Sequence, residues 1–120
     1  MNKLTRRLTL LALSTLVAGS YLLVLAAGVW AKGNPNAGKS LYGGKCAMCH
    51  AEDGSGNSPM GKNMKVPDLR SKAVQKQSDT QLADVIAEGK GMMPKYASQL
   101  NKEQINDLVA YIRALGSKRK

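Results

Sequence analysis

Two stretches of the chain place apolar residues at helical spacing. In the later one, Ile105, Leu108, Val109, Ile112 and Leu115 recur every three or four positions and so share one helix face. Asn101 ahead of them, with Gln104 three residues on, forms a capping box that satisfies free N–H groups at a helix start; Gly116 is the predicted end. In the earlier stretch Ser78 and Gln81 repeat the box, Leu82, Val85 and Ile86 form the face, and Gly89 is the stop. A third helix is predicted from its start alone. Asn34 suits the cap and Pro35 the first helical position, and the helix is expected to run through Gly38, Leu41 and Tyr42 toward Cys49. Gly43-Gly44 weakens it by about 2 kcal/mol relative to alanine, a cost that makes sense where another backbone or a flat ring must come close.

Between these helices lie two loops. Ala51 to Val66 is rich in Gly, Asn, Ser, Lys and Pro, carries turn signals at Asp53-Gly54 and Ser58-Pro59, and is expected to hold at most a turn of helix. Met60 and Met64 within it read as packing under the loop rather than as metal ligands. Pro67-Asp68-Leu69 ends that loop. The second, Gly89 to Tyr96, is glycine-rich before Met92-Met93 and closes on Pro94. No strand-like alternation of useful length occurs, so the fold class is all-α with about three main helices.

The N-terminus has a different character. Lys3, Arg6 and Arg7 precede an uncharged, mostly apolar run from Leu8 to Ala31. That pattern is an export signal or a membrane anchor, not part of the fold. The run is long enough to span a bilayer, whereas Thr9, Ser14, Thr15, Gly19 and Ser20 dilute it and Val29-Trp30-Ala31 offers a cleavage site. Residues 1–31 are thus a signal peptide or anchor, and 32–120 a single domain. In both cases the basic residues stay cytoplasmic and the domain is exported, to the periplasm or the outer face of the cytoplasmic membrane of a bacterium, with membrane association through residues 8–31 if the segment is kept.

Charge adds a constraint. Removing three basic residues from the 18 Lys and Arg leaves fifteen against eight Asp and Glu, a net +7 on the exported part. Such a surface steers toward acidic protein partners or anionic lipid. Nucleic acid is excluded by export and by lysines that are dispersed rather than interleaved with aromatics. A domain of about 90 residues buries only about 60 % of its surface and is marginal unaided, so an additional staple is expected.

The candidate chemistry sits in one pentapeptide. Cys46-Ala47-Met48-Cys49-His50 holds both cysteines and the single histidine of the chain. On a helix these three side chains emerge on one face. Two thiols can then form thioethers to the edge of a porphyrin while the imidazole reaches its iron, the pattern of c-type haem attachment. A thiol–disulfide site would call for a βαβ context, which is missing. A structural zinc site takes four ligands, and three adjacent ones are available. The haem would also supply the missing core.

Iron held by His50 needs a second axial partner for fast electron transfer, and methionine sulfur is the alternative to a second histidine. Met48, Met60, Met64, Met92 and Met93 are the candidates. Met48 lies on the side of His50 and is ruled out by geometry. Met93 is favoured because Pro94 stiffens the backbone beside it and Gly89 and Gly91 allow close passage; Met92 leaves the register open by one residue.

From Ala37 to about Leu115 the chain resembles the monohaem class I cytochromes c, small bacterial electron carriers. The resemblance rests on Cys46-Ala-Met-Cys-His50, Gly38-x-x-x-Tyr42, Gly91-Met-Met93-Pro94 and Leu108-Val-Ala-Tyr111. It implies a bundle around one covalent haem, with Gly38 and Tyr42 of the first helix crossing Leu108 and Tyr111 of the last. It further implies that the segment of Pro67 and Leu69 borders the cofactor, the Pro67 carbonyl accepting from the proximal His50.

The expected function is one-electron transfer through haem c, with redox proteins as partners and no substrate transformed, so not an enzyme. Lys45, Lys62, Lys65, Lys90 and Lys95 flank the haem-binding segments and are candidates for the docking rim. Two alternatives remain at this point: a haem-based gas sensor or peroxidase, which needs an open distal site, and a fixed cytochrome subunit of a membrane oxidoreductase.

Overall fold

A computed structural model of the chain describes residues 32–118, with Asn2 alone before them. The chain divides into two units, Met1–Trp30 and Ala31–Lys120. The signal or anchor expected over residues 1–31, and its cleavage point, lie outside the described residues.

The described part is helical: α1 (Pro35–Lys45), α2 (Ala47–His50), α3 (Pro59–Met64), α4 (Lys72–Gln75), α5 (Asp79–Glu88) and α6 (Lys102–Ser117). Among the described residues the only extended pairing is an isolated bridge between Lys90 and Met93. No described helix is long and apolar enough to cross a membrane. The three long helices start where their caps predict. The Asn34 side chain accepts from the Asn36 and Ala37 N–H groups, and both capping boxes, Ser78–Gln81 and Asn101–Gln104, are complete.

The crossing of α1 on α6 sets the frame. A Cβ on Gly38 would run into the Asp107 carbonyl and stand 2.9 Å from Tyr111 Cβ, so only glycine lets the two backbones meet. One turn on, the rings of Tyr42 and Tyr111 meet edge to face at 5.1 Å and 63°. Tyr42 and Leu108 are each 1 % exposed, and burying a leucine so fully contributes about 1.5–3 kcal/mol. Leu82 and Ile86 of α5, Leu69, Val74 and Leu100 complete the core. The Asn34 N–H donates to Asp107 Oδ1 at 2.6 Å and fastens the start of α1 to α6.

Four local expectations need correction. The first helix stops at Lys45 rather than continuing to Cys49; Cys46 (φ −117°, ψ −36°) is a joint, and α2 begins after it. No protein atom lies within 4 Å of a Cβ added at Gly43 or Gly44, so of the two approaches expected there the backbone one falls at Gly38 instead. Gly116 does not end α6, which runs to Ser117; a Cβ there would strike the Gln75 side chain, so it is glycine for packing and not for capping. Finally, α4 has no counterpart in the sequence reading, because only Val74 of its four residues is buried. It is held by long-range bonds. Gln75 Nε2 donates to the Leu69 and Ile112 carbonyls at 2.8 and 3.1 Å. Arg113 donates to the carbonyls of Gln75 and Gln77 and to Asp79.

Candidate functional site

Cys46, Cys49 and His50 come together through one turn of helix. The Cys46 N–H donates to the Tyr42 carbonyl at 2.8 Å, closing α1, and the Cys46 carbonyl accepts from Cys49 at 3.2 Å and from His50 at 2.9 Å, opening α2. Cys46 is thus shared between the end of α1 and the start of α2. Both cysteines are half-buried and unpaired.

A helix of four residues leaves its last carbonyls without internal partners, and three separate segments satisfy them. Ser58 Oγ donates to the Cys49 carbonyl at 2.8 Å. The Gly56 N–H donates to the His50 carbonyl at 2.9 Å. The Tyr42 hydroxyl donates to the Ala51 carbonyl at 2.8 Å, and Ala51 itself takes φ +63°, where a side chain is strained. The motif is therefore fixed from α1, from the loop and from the start of α3. Sequence reasoning missed Ser58 and Gly56 in this role, although the Ser58-Pro59 turn signal marks the spot.

Burial alone lowers the pKa of His50, which keeps the imidazole neutral and able to offer a lone pair to a metal. Its Nδ1 is buried with no hydrogen-bond partner. The Pro67 carbonyl therefore does not accept from His50 as expected. The carbonyl oxygens of Val66 and Pro67 lie against Gly56 instead, 2.8 and 3.6 Å from where its Cβ would stand. Pro67 is exposed, whereas Leu69 is 9 % exposed, in the core, with its N–H donating to the Gly54 carbonyl at 2.8 Å.

The thiol chemistry argues against the alternatives to haem. Burial, opposed by Lys45 and reinforced by Cys49, pushes the Cys46 thiol up to about 11, the reverse of a reactive redox dithiol. Among the described residues, no group of three or more His, Cys, Asp and Glu side chains is arranged to hold a metal ion. Two free thiols beside an orphaned imidazole fit covalent haem.

The methionines separate by burial. Met48 is 70 % and Met92 75 % exposed, while Met93 is half-buried and packs against the core, as Cys46 does. Met60 is 42 % exposed, with its sulfur 3.5 Å from Cys49 Sγ, so it does not pack under the loop; Met64 is half-buried. The turn at Met92-Met93 is built by Gly89 and Gly91, at φ +72° and +58°. A Cβ on Gly89 would stand 2.5 Å from the Met93 carbonyl oxygen, so the loop folds back closely on the end of α5.

Residues 33–112 match the family described as "Cytochrome C oxidase, cbb3-type, subunit III". The chain belongs to this family of c-type cytochromes. Its place is among the small class I c-type cytochromes, a family whose cofactor is covalent haem c. It is 35 % identical over 82 residues to the cbb3-type cytochrome c oxidase subunit FixP of Rhizobium etli, a match covering 67 % of this chain and 27 % of that one. The chain thus spans about a quarter of the length of that relative. Cytochrome c6 of Parathermosynechococcus lividus is 32 % identical over 78 residues, 62 % of this chain and 83 % of that one. Among solved structures, the KustC0563 c-type cytochrome superposes with a TM-score of 0.61 at 29 % identity, covering 65 % of this chain and 95 % of its own.

Proposed function

We propose that Cys46 and Cys49 hold the haem of this cytochrome through two thioethers, that His50 and Met93 are its axial ligands, and that the domain passes single electrons between redox proteins without transforming a substrate. One observation carries the reading: Cys46 and Met93 pack against the same core cluster, whereas Met48, Met60 and Met92 lie exposed. When bound, the haem supplies an iron that cycles between Fe(III) and Fe(II). The protein's part is to hold still. Neutral His50 is fixed by three hydrogen bonds to the carbonyls around it, and Met93 by the Gly89–Pro94 turn. A thioether favours Fe(II) and so raises the potential. Leu69 borders the same core and belongs with the haem surroundings.

Lys3, Arg6 and Arg7 before the uncharged run to Ala31 support export, to the periplasm or the outer face of the cytoplasmic membrane of a bacterium. The exposed Lys45, Lys62, Lys65, Lys90 and Lys95 suit acidic docking surfaces on the partners. The likeness to FixP favours a second reading, a cytochrome fixed to a membrane oxidoreductase through residues 8–31. Mass spectrometry separates the two: a cleaved carrier begins at Lys32, an anchored subunit retains Met1.

The optical spectrum tests the ligands. The oxidised protein is expected to show the weak near-infrared band of sulfur–Fe(III) coordination and the reduced protein to resist CO. Met93→Ala removes the band and admits CO, while Met92→Ala leaves both unchanged. Prompt CO binding by the native protein overturns the carrier reading in favour of a sensor or peroxidase.

A further inference from the structure

The covalent attachment fixes one side of the haem site, but Met93 reaches it only through a loop. After α5 the chain turns at Gly89, the Met93 N–H donates to the Lys90 carbonyl at 3.0 Å, and Met92 stands out at the tip. The loop is fastened again at Tyr96. Its N–H donates to the carbonyls of Ile86 and Ala87 at 3.2 and 3.1 Å, returning the chain to α5. Its ring is half-buried and packs against the core. Its hydroxyl donates to the carbonyl of Lys45 at 2.9 Å, across 51 residues of sequence.

Lys45 is the last residue of α1 and immediately precedes Cys46. The phenol therefore spans from the segment that carries Met93 to the segment that carries the two thiols. A phenylalanine would fill the same packing space without this bond. The other side-chain link between these segments, Lys45 Nζ to Gln99 Oε1, is long at 3.5 Å and exposed.

Resting on the assignment of Met93 as ligand, we propose that Tyr96 is a positioning residue whose hydroxyl, bonded to the Lys45 carbonyl, holds the Met93 loop in register with the Cys46–His50 segment and so keeps the methionine on the iron. Sulfur binds Fe(III) more weakly than Fe(II), so the tether matters most in the oxidised protein, where an outside ligand competes best with Met93. A net hydrogen bond corresponds to about a threefold to tenfold change in an equilibrium constant.

The test uses holo-protein and imidazole as the competing ligand. Tyr96→Phe keeps the ring and removes the bond; oxidised protein is then expected to bind imidazole about threefold to tenfold more tightly, read by loss of the near-infrared band, with a lower reduction potential. Asn34→Ala, which removes the cap at the far end of α1, serves as a control of similar cost to overall stability and is expected to leave imidazole affinity and potential unchanged. Unchanged imidazole affinity in Tyr96→Phe overturns the proposal, as does an equal change in Asn34→Ala, which would assign the effect to general loosening. A native protein with no near-infrared band at all would instead refute the Met93 assignment, before the tether is tested.

Discussion

The hydroxyl of Tyr42 donates to the carbonyl of Ala51 at 2.8 Å, joining the most buried side chain of α1 to the first residue after His50. The same ring packs on Tyr111 of α6. The packing of the helix crossing and the placement of the histidine are thus coupled through one side chain. Burial of that phenol, with further contributions from Cys46 and nearby groups, pushes its pKa far up, so it stays a donor at any working pH.

Tyr42→Phe should preserve the ring pair and leave the Ala51 carbonyl short of its donor. A loss of about 1–2 kcal/mol is expected in denaturant unfolding of the holo-protein. An unchanged midpoint would show that the bond contributes nothing to the fold.

Gly38→Ala should destabilise the domain by about 1–3 kcal/mol, because the added methyl meets the Asp107 carbonyl and the Tyr111 side chain. Gly43→Ala, on the same helix with no protein atom within 4 Å of the added methyl, should stabilise it by up to about 1 kcal/mol. Thermal unfolding of the two variants side by side checks the contrast.

Replacing both Cys46 and Cys49 by alanine should abolish covalent haem. Acid–acetone extraction should then leave no haem with the polypeptide, and little folded holo-protein should accumulate. Haem that resists extraction from the double variant would defeat the attachment assigned to these thiols.

Positive steering predicts an electron-transfer rate that falls steeply with salt, since the Debye length shrinks from about 10 Å at 0.1 M to about 3 Å at 1 M. Lys90→Glu should slow association more than Lys95→Glu, because Lys95 already lies 3.8 Å from Glu88. Stopped-flow rates against ionic strength measure both effects, and rates indifferent to salt would leave the lysines as solubilising surface.

What the sequence determined by itself was chemistry encoded over a few neighbouring residues. Helix starts follow from a side chain bonding an N–H two or three positions away, so Asn34, Ser78 and Asn101 cap as read. The spacing of Cys46, Cys49 and His50, on which the proposed haem attachment rests, is local in the same way. Tertiary structure decided what depends on residues distant in sequence. Gly38 and Gly116 are glycines because Asp107 and Gln75 arrive beside them, which no local pattern announces. Helix α4 is tied to α6 by Gln75 and Arg113, partners that its own four residues do not announce. The difference in burial between Met92 and Met93, on which the proposed ligand rests, is set by which side of a turn faces a core assembled from α1, α5 and α6. For the same reason Pro67 does not reach His50 and Tyr96 does reach Lys45: hydrogen bonds across long separations are fixed by how the helices pack, and packing is a property of the whole chain.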